Sequence, residues 1–209
     1  MGFGILVIGY FMLINVPFHG VDLPPDFLGY ILIFVALCKL GSYENKLKYA
    51  KLMCLPLIIL SGVKLVLSLL SAFGVGEYTA AQNMAEYAVI AILLVFYFLL
   101  LLGIRDLATR VKLEKNARKS VRNLIIIVIF YVYTVIVNLY SFGVIPQKTG
   151  IQPGALIAIQ QLFGYLVRFL NLIQFISCYM WICLEGDENM DSRQSALSRF
   201  VQRIKKEDK

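Results

Sequence analysis

The sequence predicts an all-α fold, a polytopic transmembrane bundle of six helices with both termini in the cytoplasm (N-in/C-in). Three observations predict it. Of the 209 residues 59% are hydrophobic and only 16% charged, with a mean hydropathy of +0.76. A soluble domain is about half apolar and about a quarter charged, and a chain of this length cannot bury such a surplus away from water. The apolar residues fall into six runs. The basic residues fall almost entirely into every second segment between those runs.

A helix needs roughly 20 apolar residues to cross the hydrocarbon core. The first run, 2–18, is somewhat short. A polar elbow follows, His19-Gly20-Val21-Asp22-Leu23-Pro24-Pro25-Asp26, and then a second run, 27–40. Pro25 suits a first helical position, and Asp26 meets the positive end of the helix dipole. Lys39 can extend to the interface, so residues 25–42 just suffice to span. The third run is 52–73 and the fourth 84–104, joined by a short polar turn. The fifth is 123–144. The sixth, 154–184, is long enough to tilt, to kink at Gly164 or to project past the bilayer. Residues 1–184 thus form the membrane domain, and 185–209 a basic cytoplasmic tail.

Lys and Arg set the orientation. Segment 42–51 holds three, 105–122 holds seven and the tail holds six, whereas the alternate connections hold only Lys148. Short basic loops stay on the cytoplasmic side, which gives N-in/C-in. The first residues lack a basic region and a small-x-small cleavage site, so no cleaved signal is expected. Cys38, Cys54, Cys178 and Cys183 form no CxxC pair and read as small apolar side chains kept reduced. The net charge of +7 serves orientation against an anionic leaflet rather than nucleic-acid binding.

The stretch Asp22-Leu23-Pro24-Pro25-Asp26-Phe27-Leu28-Gly29-Tyr30-Ile31-Leu32, followed by Lys39-Leu40, resembles the N-terminal hairpin of uncharacterised multi-pass membrane proteins of Gram-positive bacteria. The resemblance covers the first quarter of the chain. It implies a bacterial cell membrane and transfers no functional residue. The six-helix layout is also similar to that of the membrane-embedded substrate-binding subunits of energy-coupling vitamin transporters. The small-residue interaction motif expected on their first helix is missing here.

Ionisable groups at membrane depth carry the chemical signal, because each costs about 2.5–3.5 kcal/mol at a helix centre. Lys64 and Arg168 lie near mid-membrane, and Glu86 lies nearer the outer surface. Ser61, Lys64, Ser68 and Ser71 share one face of the third helix by their spacing of three and four. Tyr131, Thr134, Asn138 and Ser141 do the same on the fifth. Gln160, Gln161, Gly164, Arg168, Asn171, Gln174 and Cys178 mark the sixth. Three polar stripes should face one another, since none can face lipid cheaply.

Two readings follow. In the first, Lys64, Glu86, Asn138, Arg168 and Asn171 line a polar cavity between helices 3, 5 and 6. Two cations there would hold an anionic or zwitterionic solute, with Arg168 gripping a carboxylate or phosphate by two parallel hydrogen bonds. In the second, the polar residues fix helix packing in a non-catalytic accessory protein. Both stay open at this point.

Catalysis has little support. One histidine excludes bis-histidine haem ligation and an HExxH metalloprotease, and no P-loop or GxSxG elbow is present. Lys64 with Ser61 or Ser68 makes a conceivable dyad. His19, Asp22 and Asp26 can bind a divalent cation, but the two carboxylates are explained as helix-start residues around a Pro-Pro turn. No cofactor or metal is therefore expected. Partners are the bilayer, anionic lipids at the cytoplasmic face, and a membrane-protein partner or second copy. In the tail, Asp191 to Gln194 reads as a helix start. Leu197, Phe200, Val201 and Ile204 form one face, with Arg199, Arg203, Lys205 and Lys206 around it. A helix on anionic lipid and a solvated tail fit this equally.

Overall fold

The computed structural model describes residues 2–14, 26–72, 79–141 and 153–182. They form six helices: α1 Gly2–Met12, α2 Asp26–Leu40, α3 Asn45–Ala72, α4 Thr79–Arg110, α5 Glu114–Ser141 and α6 Pro153–Trp181. No strand occurs among the described residues. Four helices, α3 to α6, are long and apolar enough to cross a membrane. Only 22–39% of their apolar windows is buried inside the bundle, so most of that surface is apolar and outward-facing, as lipid requires.

Each helix packs on its neighbours in sequence, and α6 closes onto α1. The helices overrun the apolar stretches at the end of the bundle that carries the 42–51 and 105–122 segments, called here the basic end. Residues 114–122 belong to α5 and 105–110 to α4. Glu, Lys, Arg and Ala are good helix formers, and Arg118 pairs with Glu114 one turn away at 3.2 Å. Apolar runs mark where lipid begins, not where a helix does.

The turns at the basic end are closed by specific bonds. Lys112 ends α4 in the left-handed region (φ 59°). The Leu113 amide donates to the Ala108 carbonyl at 2.8 Å and the Lys112 amide to Thr109 at 3.0 Å, the double bond pattern of a left-handed helix stop. Buried Glu44 pairs with Arg110 at 2.6 Å, and Arg110 also donates to the Tyr43 carbonyl at 2.9 Å. Lys46 pairs with Asp106. These contacts tie the α2–α3 turn to the end of α4.

The helices α1 and α2 form a tight antiparallel pair. Gly2 lies against Leu40 and Ala36. Gly9 and Gly29 let the two backbones touch, since a Cβ on Gly9 would lie 2.9 Å from the Ile33 nitrogen and 3.0 Å from the Gly29 carbonyl. Small residues at such crossings permit close approach in a membrane. Both described helices are short, with 11 and 15 residues, or about 16 and 22 Å at 1.5 Å per residue. Phe27 faces Gly62, and α3 continues ten residues beyond that level. The described part of the pair therefore stops near the midpoint of the long helices. Residues 15–25, which hold the predicted elbow with His19 and Asp22, lie outside the described residues, as do 183–209.

This arrangement divides the bundle. The fully buried large side chains, among them Leu6, Tyr10, Ile33, Leu37, Phe96, Leu100 and Phe175, gather where α1 and α2 complete the ring.

Candidate binding cavity

The predicted polar stripe of α6 splits into two parts with different surroundings. Toward the basic end it joins α5. Asn123 donates to Asn171 Oδ1 at 3.3 Å and to the Leu170 carbonyl at 3.2 Å. The Gln174 amide donates to Ser120 Oγ at 3.0 Å, to the Asn116 carbonyl at 3.1 Å and to Cys178 Sγ at 3.5 Å. Ser177 donates to Asn116 Oδ1 at 3.1 Å. All six of Asn116, Ser120, Asn123, Asn171, Gln174 and Ser177 are buried. Buried polar groups that bond across an interface join helices where no hydrophobic force acts between them, although the Asn116 and Asn171 amide nitrogens are left without a hydrogen-bond partner among the described residues. Asn171, predicted to bind a ligand, sits 1% exposed in this zipper.

Asn116, Ser120 and Asn123 were not singled out in the sequence, because 105–122 read as a topology determinant. A signal was present. The three recur at i, i+4 and i+7, on the face beside the one that carries Lys115, Arg118, Lys119 and Arg122.

Away from the basic end, the same α6 stripe borders a hollow of about 530 Å³ between α4, α5 and α6. Gln160, Gln161, Gly164 and Arg168 line one side, Asn138 and Phe130 of α5 another, and Tyr87 and Ile90 of α4 a third. Gly164 has no side chain to fill this space; a Cβ there would meet the Phe130 ring at 3.3 Å. The α6 helix runs unbroken through it. Arg168 is exposed in the hollow, with its guanidinium 6.0 Å from the Tyr165 ring centroid, the outer limit of a cation–π contact. Among the described residues no carboxylate forms an ion pair with Arg168.

Toward the basic end lies a cluster of four buried tyrosines, Tyr10, Tyr30, Tyr97 and Tyr131. Tyr10 and Tyr97 approach edge to face with hydroxyls 3.5 Å apart, and Tyr10 packs on Phe175 at 4.8 Å. Arg168 lies within electrostatic reach of all four hydroxyls. The tyrosine cluster lies on one side of the guanidinium and the hollow on the other.

Of the predicted site residues, Asn138 and Arg168 border the hollow together. Lys64 is half-buried on α3 and not in its lining. Glu86 belongs to α4, but its side chain lies outside the described residues, as do those of Ser68 and Ser71. The predicted cavity lay between helices 3, 5 and 6, whereas the described hollow has α4 as its third wall. Periodicity assigns a residue to a face of its helix but not to the neighbour that face meets. Thr134 is buried outside the hollow lining. Ser61 donates to its own helix at the Ile58 carbonyl, 3.1 Å away, as serines in membrane helices often do. Cys38, Cys54 and Cys178 are free thiols. No metal-ligating cluster occurs among the described residues.

Comparison with known protein families, with curated proteins and with solved structures finds no match.

Proposed function

We propose that this integral membrane protein binds a small anionic or zwitterionic solute in the hollow between α4, α5 and α6, with Arg168 as its anchor. The observation that carries this reading is an exposed guanidinium halfway along a membrane helix, beside three carboxamides. An arginine at that depth costs about 2.5–3.5 kcal/mol in hydrocarbon, and such residues mark binding or transport pathways. The fork of guanidinium donors matches a carboxylate or phosphate. Asn138, Gln160 and Gln161 supply both donors and acceptors, which suits a solute that also carries a cationic or hydroxyl group.

The hollow lies on the side of Arg168 away from the basic end. With the basic loops in the cytoplasm, it would face the outside of a bacterial cell membrane. That layout serves capture or uptake, alone or with a partner subunit. No catalytic constellation accompanies the hollow.

The test is mass spectrometry of small molecules that co-purify with the protein, for wild type and for Arg168→Ala and Lys64→Ala. The expected result is an anionic or zwitterionic compound retained by wild type and lost from well-folded Arg168→Ala. A properly inserted wild type that retains nothing, together with an Arg168→Ala protein that is degraded, sinks the proposal. That outcome favours the accessory reading, which draws support from the α5–α6 zipper, where the polar residues pair with each other.

A further inference from the structure

A second concavity of about 620 Å³ lies between α4 and α5. Its lining is almost wholly apolar, with Ala91 and Leu94 from α4 and Val132, Val135 and Ile136 from α5. These side chains are exposed on the outer surface of the bundle, the surface that faces lipid. Tyr87, Ile90 and Asn138 border both this groove and the polar hollow. The two spaces are therefore neighbours across the seam between α4 and α5, with these three residues as their common border. One side of the seam presents Arg168 and amides, and the other presents branched aliphatic side chains.

We propose that the occupant is an amphiphile drawn from the bilayer, whose carboxylate or phosphate rests on Arg168 while its hydrocarbon chain lies in the α4–α5 groove. The inference rests on the solute-binding reading above and narrows its substrate class. A wholly hydrophilic solute would need walls that separate it from hydrocarbon, yet here only Tyr87, Ile90 and Asn138 stand between the polar hollow and the apolar groove. A wholly apolar guest would leave the Arg168 guanidinium without an anion among the described residues, at the cost already given. An amphiphile meets both requirements. From Val128 to Leu139 the groove runs along eleven residue rises of α5, about 16 Å. That is close to the depth of one leaflet, half of a core about 30 Å thick. Each volume is also of the size that ligand sites occupy, about 300–1,000 Å³.

Transfer of a chain from lipid into the groove gains little from the hydrophobic effect, because lipid tails are already apolar. The polar head supplies the selectivity and the groove supplies shape. The test compares retention of hexadecyl phosphate and palmitate with that of butyl phosphate and butyrate, by native mass spectrometry from lipid nanodiscs. The variants are Arg168→Gln in the hollow, and Ala91→Trp and Val135→Trp in the groove. Both tryptophans replace outward-facing residues, so folding should survive. Wild type should retain the sixteen-carbon probes at least about tenfold better than the four-carbon ones. Each tryptophan should remove about that advantage and leave the four-carbon probes unchanged, whereas Arg168→Gln should weaken both lengths. Equal retention of both lengths, unaffected by either tryptophan but still dependent on Arg168, overturns the amphiphile and leaves the solute reading intact. Retention that ignores Arg168 overturns both.

Discussion

Asn123 of α5 donates through its side-chain amide to Asn171 Oδ1 of α6 at 3.3 Å, and both residues are nearly inaccessible. Because the same amide also bonds the Leu170 carbonyl and the Asn123 oxygen accepts from Arg122 at 3.4 Å, Asn123→Leu removes three bonds and strands the Asn171 oxygen, while the Leu170 carbonyl keeps its place in the α6 helix. A stranded buried polar group costs about 1–3 kcal/mol in soluble proteins. Couplings inside membranes average about 0.6 and reach about 1.7 kcal/mol, since polar groups find other partners there. The membrane range decides, so Asn123→Leu should destabilise by about 1–2 kcal/mol in denaturation from detergent. Asn123→Leu/Asn171→Leu should cost less than the sum of the single variants.

The two halves of the α6 stripe show how far the sequence could be read. The place of Arg168 midway along an apolar helix was legible, since a charge inside an apolar run is unambiguous. Its companionship with Asn138 followed from polar stripes seeking one another. The boundary between zipper and hollow was not legible. It depends on which helices meet each level of the α6 stripe, α5 by hydrogen bonds at Asn171 and Gln174 and α4 with α5 around Gly164, and no local pattern encodes that choice of neighbour. The ends of α4 and α5 were missed for another reason: Glu114, Lys115 and Arg118 continue a helix as well as leucine does.

The glycines provide a paired test of packing. A Cβ on Gly9 meets backbone of α2 on two sides, and backbone cannot rotate away. Gly9→Ala should push α1 from α2 and cost about 1–3 kcal/mol, the usual range for overpacking. At Gly164 the nearest atoms belong to the Phe130 side chain at 3.3 and 3.5 Å, which can shift slightly. A helical Gly→Ala change also gains about 0.8–1 kcal/mol in propensity. Gly164→Ala should thus lie within about 1 kcal/mol of wild type. Thermal unfolding in detergent should rank Gly9→Ala well below Gly164→Ala; the reverse order would contradict the crossing geometry.

Lys112 occupies a backbone region that costs a side-chain-bearing residue about 1–2 kcal/mol. Glycine enters it freely, though it also gains freedom in the unfolded chain. The net prediction for Lys112→Gly is stabilisation of about 0.5–1 kcal/mol, while Lys112→Val should destabilise. Neither change touches the hollow, so retention of any solute should be unaltered in both.

Orientation is the relationship on which the outward-facing hollow depends. The residues Lys115, Arg118, Lys119 and Arg122 border one concavity on α5 with only Glu114 among them, leaving a strongly basic face beyond the Glu114–Arg118 pair. Lys46 and Arg110 are partly neutralised by Asp106 and Glu44, so this α5 face carries much of the orienting charge. Single cysteines at Lys115 and Lys148, in a background lacking Cys38, Cys54, Cys178 and Cys183, should react on opposite sides of the membrane. In intact cells a membrane-impermeant maleimide should label Lys148→Cys and reach Lys115→Cys only after lysis. Labelling of both from the same side would remove the orientation. Labelling of Lys115→Cys alone in intact cells would invert it, and the hollow would then open to the cytoplasm.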